Sequence, residues 1–201
     1  MWRAHIDGDT FRGGCLALWD TARDYTAHGR GRDCTSADAA GLPIAPLLFG
    51  ADEVAAGHIG HAIRFILPND RIAHRTYVAP ATHATGAASA PRALGVPYGA
   101  RLRLRADYPL DTLTPGARVV AQALQRHGMI LADGGQIALT ARSDRFEAIK
   151  WADHLGPHDL ASLRVEDFEV IDRGALQDWQ GDCVRADPPV VAGLCPPGPR
   201  P

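Results

Sequence analysis

The chain is predicted to fold as a mainly β (α+β) protein: sandwich or jelly-roll-like sheets, one packed helix, and one or two short helices. Three observations carry that expectation. Ile63, Phe65 and Leu67 alternate with Arg64 and Ile66, and GARLRLRA (99–106) alternates leucine with arginine, both at the period of a strand. Only one stretch, TPGARVVAQALQRHG (114–128), shows a strong helical period between start and stop signals. Glycine and proline punctuate the rest at short intervals, which limits the length of any regular element.

HIDGDTFRGG (5–14) reads as a strand followed by a turn, and CLALWD (15–20) as another strand, with Trp19 a core residue. Residues 21–36 are polar and glycine-bearing, and read as a loop. ADAAGLPIAPLLFGADEVAAG (37–57) contains two prolines and three glycines, which exclude a long helix. It leaves room for one helical turn near Asp52, Glu53 and Val54.

GHIGHAIRF (57–65) places two histidines three residues apart. On a helix they would share a face and could hold one metal ion. Gly57, Gly60 and Pro68 argue against a helix, and on a strand residues three apart face opposite ways. His61 is then expected on the inward face with Ile63 and Phe65, and His58 elsewhere. Joint metal ligation is not expected, and neither is a cofactor.

TYVAP (76–80) reads as a strand leading into a small-residue loop that begins at His83. The main helix is capped by Thr114, opened by Pro115 and stopped by Gly128. Its Ala117, Val120, Ala121 and Leu124 form the inward face, with Arg118, Gln122 and Gln125 outward. MILAD-GG-QIALTA then reads as a β-hairpin. Short helices are expected in 144–155 and 157–163, and a last strand at DFEVID (167–172). Residues 1–173 are expected to form a single β-rich domain that lacks its natural beginning. Residues 174–201, with six prolines after residue 187, are expected to be a loosely ordered tail.

A net charge of -2 gives no reason to expect a nucleic-acid partner. No apolar run approaches the ~20 residues of a spanning helix. Arginine almost to the exclusion of lysine, with abundant alanine, suggests a GC-rich bacterial genome. The four cysteines form two local pairs, Cys15 with Cys34 and Cys183 with Cys195, and no C-x-x-C. They read as two loop-closing disulfides and therefore as an exported, extracellular or periplasmic protein.

The blocks CTSADAAGLPIAPLLFGADEVAAGHIGHAIRF, YVAPATH, PYGARLRLRADYPL and ALQRHGMILADGG resemble, in the same order, a family of secreted bacterial proteins of soil and environmental organisms. The resemblance spans roughly residues 13–172. The family's own HALRF and LADNG stand here as HAIRF and LADGG. It implies a β-sandwich architecture, an extracellular address and a longer chain with an exported N-terminal half. Carbohydrate-binding modules accompany some members, and no reaction is carried over.

Within those blocks His61, His83 and Asp38 are the candidate catalytic residues: a histidine oriented by a carboxylate is the usual means of moving a proton. Arg64, Arg103 and Asp133 are the candidate substrate-binding residues, since arginines can grip the carboxylates of an acidic sugar. Each has a structural alternative. His61 can be a hydrogen-bonded core residue, and Asp38 can cap a turn. Asp133 can serve a tight turn, Arg103 can belong to an ion-paired face, and Asp52 and Glu53 can open a helical turn. Arg64, in an apolar run, needs a partner such as Asp38 or Glu53. Two functions stay open: a carbohydrate-active protein binding or cleaving polysaccharide, or a non-catalytic envelope or interaction module.

Overall fold

The computed structural model describes residues 5–13, 17–20, 22, 25 and 29–185. In chain order the strands are β1 (His5–Asp7), β2 (Thr10–Arg12), β3 (Gly31–Arg32), β4 (Ile63–Leu67), β5 (Ile72–Tyr77) and β6 (Val96–Tyr98). They continue with β7 (Arg101–Leu104), β8 (Met129–Gly134), β9 (Ala138–Leu139), β10 (Phe168–Ile171), β11 (Gln177–Asp178) and β12 (Val184–Arg185). The helices are α1 (Ala51–Ala55) and α2 (Pro115–Arg126). The fold is mainly β with packed helices, as the periodicities predict.

The principal sheet has five strands in the order β10-β7-β8-β4-β9. A three-stranded sheet follows the order β11-β5-β6, and two ribbons pair β1 with β2 and β12 with β3. Two apolar clusters hold these layers together. One packs Phe65, Leu131, Tyr77, Tyr98, Ile72 and Ala40. The other packs the α2 face (Ala117, Val120, Ala121, Leu124) with Phe49, Val54, Ile63 and Leu104.

Helix α2 follows its expected phase. Thr114 accepts from the Ala117 amide at 3.4 Å, and Gln122 is exposed. Arg118 and Gln125 differ from expectation: half-buried, they donate to the Leu110 and Arg105 carbonyls and fasten the preceding loop. Gly128 ends the helix at φ +73°, where a Cβ would lie 2.5 Å from the Leu102 carbonyl oxygen. Positive φ and close approach both require glycine there.

The hairpin expected at 129–141 does not form. β8 runs parallel to β4, and β9 pairs antiparallel on the other edge of β4, so β4 lies between the two. The reason lies in Arg64. Its guanidinium spans both neighbours, donating to Asp133 on β8 at 3.0 Å and to Thr140 just past β9 at 3.3 Å. A β8–β9 hairpin would expel β4 and strand a buried cation. Gly135 serves the crossing, since a Cβ would lie 2.8 Å from the Ile66 side chain.

Other expectations need correction. Residues 17–20 form no strand, residues 15–16 lie outside the described ones, and Trp19, half-buried, packs edge-on against Tyr25. The segment 144–163 holds one short 3-10 helix, Trp151–Asp153, and otherwise turns rather than α-helices. Asp144 accepts the Trp151 amide, and the Trp151 indole donates to the Arg142 carbonyl, which fixes the backbone in irregular form. Residues 174–185 are no loose tail: β11 pairs with β5, and β12 with β3. The cysteine pairing is also different. Cys34 is bonded to Cys183, 149 residues away, not to Cys15, and so Cys183 is not bonded to Cys195. Cys15 and Cys195 lie outside the described residues.

Candidate functional site

Arg64 is the centre of the polar interior. β4 buries it, its side chain only 8% exposed. Its Nε donates to Asp38 Oδ2 at 2.7 Å and its Nη2 to Asp133 Oδ2 at 3.0 Å. The loop around Asp38 is folded to present that oxygen. Asp38 donates its amide to Ser36 Oγ, which donates onward to the Leu42 carbonyl at 2.6 Å. Asp38 Oδ1 accepts the Ala40 amide at 3.0 Å. Asp38 thus both caps a turn and partners Arg64. Burial pushes its carboxyl up to about 6, although the Arg64 guanidinium and the Ala40 amide favour the charged form. Asp133, 34% exposed, is the solvent-facing member, and its Oδ1 accepts the Gly134 amide.

His61 lies at a bend just before β4, not on the strand. It is half-buried, with Nε2 3.2 Å from Glu53 Oε1 and Nδ1 2.9 Å from the Ala62 carbonyl oxygen. Both ring nitrogens are thus engaged, one by the Glu53 side chain and one by the backbone. Glu53 Oε2 accepts the Gly50 amide at the start of α1, while Asp52 pairs with Arg142. His58 is exposed, as expected.

His83 is buried beside the Asp38 loop. Its Nδ1 donates to the Ala39 carbonyl at 2.7 Å, and its ring meets Trp179 edge-on at 4.8 Å. Desolvation holds its pKa below the ordinary 6.5, favouring the neutral ring. Arg75 lies over Trp179, 4.4 Å from the ring centroid.

Asp38, Arg64 and Asp133 are therefore brought together. No hydrogen bond or ion pair joins His61, His83 and Asp38 to one another, and each is fixed by other partners. Arg103 is exposed and pairs across β7 and β10 with Glu169 at 2.6 Å. That is the ion-paired face weighed as its alternative.

A cleft of about 240 Å³ lies elsewhere, where the loop after β5 meets β3 and the chain around β11. Arg32, Tyr77, Thr82, Arg173 and Gln177 line it, with the methyl groups of Ala79, Ala81 and Ala175. Tyr77 and Gln177 are register partners in the sheet. Thr82 donates to the Cys34 carbonyl at 3.0 Å, and Cys34 carries the disulfide to Cys183. Reasoning from sequence missed these residues because they come from three segments that share no local pattern. The even cysteine count was the nearest signal, and its local pairing pointed away from the cleft.

Comparison of the chain with family models, with curated proteins and with solved structures returns no match.

Proposed function

We propose that the protein is an exported bacterial module that binds extracellular polysaccharide and has no hydrolytic centre of its own. One observation carries the reading. Asp38, His61 and Glu53 are each engaged by a nearby bonding partner, while the cleft presents polar groups beside an apolar floor. Glycosidic cleavage needs two carboxyl groups flanking the scissile bond, one as acid and one as base or nucleophile. Asp38 and Asp133 instead converge on one guanidinium. A concave site with a few convergent polar groups over apolar surface is the usual form of a small-ligand site. A disulfide joining residues 149 apart supports export, because such bonds persist in oxidising compartments.

The test is a glycan array run beside a polysaccharide depolymerisation assay. The expected result is retention of at least one polysaccharide with no new reducing ends. Release of reducing ends, abolished in Asp38→Asn or His61→Ala, would replace the reading with a catalytic one. Absence of retention across the array would remove it.

A further inference from the structure

We propose that the cleft takes one acidic sugar residue, with its carboxylate held between Arg32 and Arg173. This rests on the polysaccharide-binding reading and names the class of glycan.

The first ground is charge. Among the described residues two guanidinium groups line the cleft and no carboxylate does. The neighbouring carboxylate, Asp33, is buried, and its oxygens accept from the Tyr77 hydroxyl at 2.9 Å and the Gln180 amide at 3.1 Å. Neither Arg32 nor Arg173 makes an ion pair among the described residues. Arg173 Nε donates to the Ala79 carbonyl at 3.3 Å, which steadies the guanidinium while leaving its terminal nitrogens available. Guanidinium forks match the geometry of a carboxylate and bind it more strongly than they bind neutral acceptors.

The second ground is the rest of the lining. The buried Tyr77 and Thr82 hydroxyls are already satisfied, donating to Asp33 and to the Cys34 carbonyl, and so fix the base of the cleft. The Gln177 amide adds a donor and an acceptor at the rim. Ala79 and Ala175 provide apolar surface for the C–H face of a pyranose, over a base formed by the buried Tyr77 and Ala81. A bare inorganic anion would leave that surface unused.

The third ground is size. Clefts that enclose drug-sized ligands run to roughly 300–1,000 Å³. At about 240 Å³ this one suits a single sugar ring. The Cys34–Cys183 bond lies two residues from Arg32 and ties the β12 segment to β3, which preorganises that wall.

The experiment is a ligand-detected NMR titration of the full chain with D-glucuronate and D-galacturonate. Glucose, galactose and inorganic phosphate are the comparison ligands. Binding of a uronate but not of its neutral parent is expected. Arg32→Gln and Arg173→Gln should each weaken it about tenfold or more, the loss typical of one charge-assisted bond. Arg103→Gln, at an exposed ion pair, should leave it unchanged. Thermal unfolding of each variant checks the fold. If Arg32→Gln does not fold, Arg173→Gln, on exposed coil, decides the matter. Equal affinity for neutral sugars, phosphate binding as tight as uronate, or full binding by Arg173→Gln would each overturn the assignment. Retention of neutral polysaccharide with no uronate binding ends this inference and leaves the module reading standing. Uronate binding that depends on the arginines, without retention of any polysaccharide, does the reverse.

Discussion

Arg64 and Asp38, 26 residues apart in the chain, meet at 2.7 Å in the interior, and Asp38 is sealed from solvent there. The contact joins β4 to a loop with no strand of its own. It also sets the identity of the neighbours of β4, because the remaining guanidinium nitrogens reach Asp133 and Thr140. Breaking one side of a buried pair leaves an uncompensated group, typically at a cost of about 3–5 kcal/mol. Arg64→Met is expected to destabilise by about that much in urea unfolding. Adding Asp38→Asn should restore a large part, since the amide keeps the oxygen that caps Ala40. A double variant no more stable than Arg64→Met would show that the pair is not the unit of stability.

The Asp38 carboxyl, raised from 3.8 to about 6, makes an unusual pH contribution. Because its folded value lies above its unfolded one, the stability it supplies is fully present below about 4. That stability is lost as pH rises through about 6. Asp38→Asn lacks this titration. The gap in stability between wild type and Asp38→Asn should therefore narrow from pH 4 to pH 7. A gap that widens over that interval would mean that Arg64 outweighs burial and holds the carboxyl low.

His83 titrates in the opposite sense. Its folded value lies below the ordinary 6.5, so its contribution is present above 6.5 and lost as pH falls through the lowered value. Its NMR titration midpoint should fall below 6.5. Trp179→Ala, which removes the ring packed on it at 4.8 Å, should move the midpoint upward. An unchanged midpoint would assign the depression to a source other than that packing.

Peptide mapping of unreduced protein should find Cys34 linked to Cys183. Closing a loop of 149 residues is worth about 5 kcal/mol in the chain-entropy model, so Cys183→Ser should cost up to that amount. A Cys15–Cys34 peptide would contradict the pairing.

Leu124 is fully buried in the α2 cluster, whereas Gln122 is exposed. Leu124→Ala should cost ~2–5 kcal/mol, as large-to-small core changes do. Gln122→Ala should lie within about 0.5 kcal/mol of wild type. Gln125→Ala should fall between them, because its amide holds the Arg105 carbonyl at 2.9 Å. Equal losses at positions 122 and 124 would mean that the helix is differently phased.

What the sequence by itself determined is local. The period of two identified β4 and β7, and the period of 3.6 with Thr114, Pro115 and Gly128 bounded α2. The apolar run around Arg64 demanded a partner, and Asp38 was one of the two named for it. These signals are legible because backbone sterics and the burial of one face act over a few neighbouring residues. Tertiary structure decided the pairing. MILAD-GG-QIALTA contains both a hairpin signal and the two strands that flank β4, and only the burial of Arg64 selects the second. Cys34 had a neighbour in Cys15, yet sheet pairing of β12 with β3 brings it Cys183. His61 and His83 looked alike along the chain, but one meets Glu53 at α1 and the other Trp179 beyond β11. The cleft unites Arg32 of β3 with Arg173 of the segment that follows β10. Contacts of that kind are chosen by the total burial and hydrogen bonding of the folded chain, and no short window of sequence encodes them.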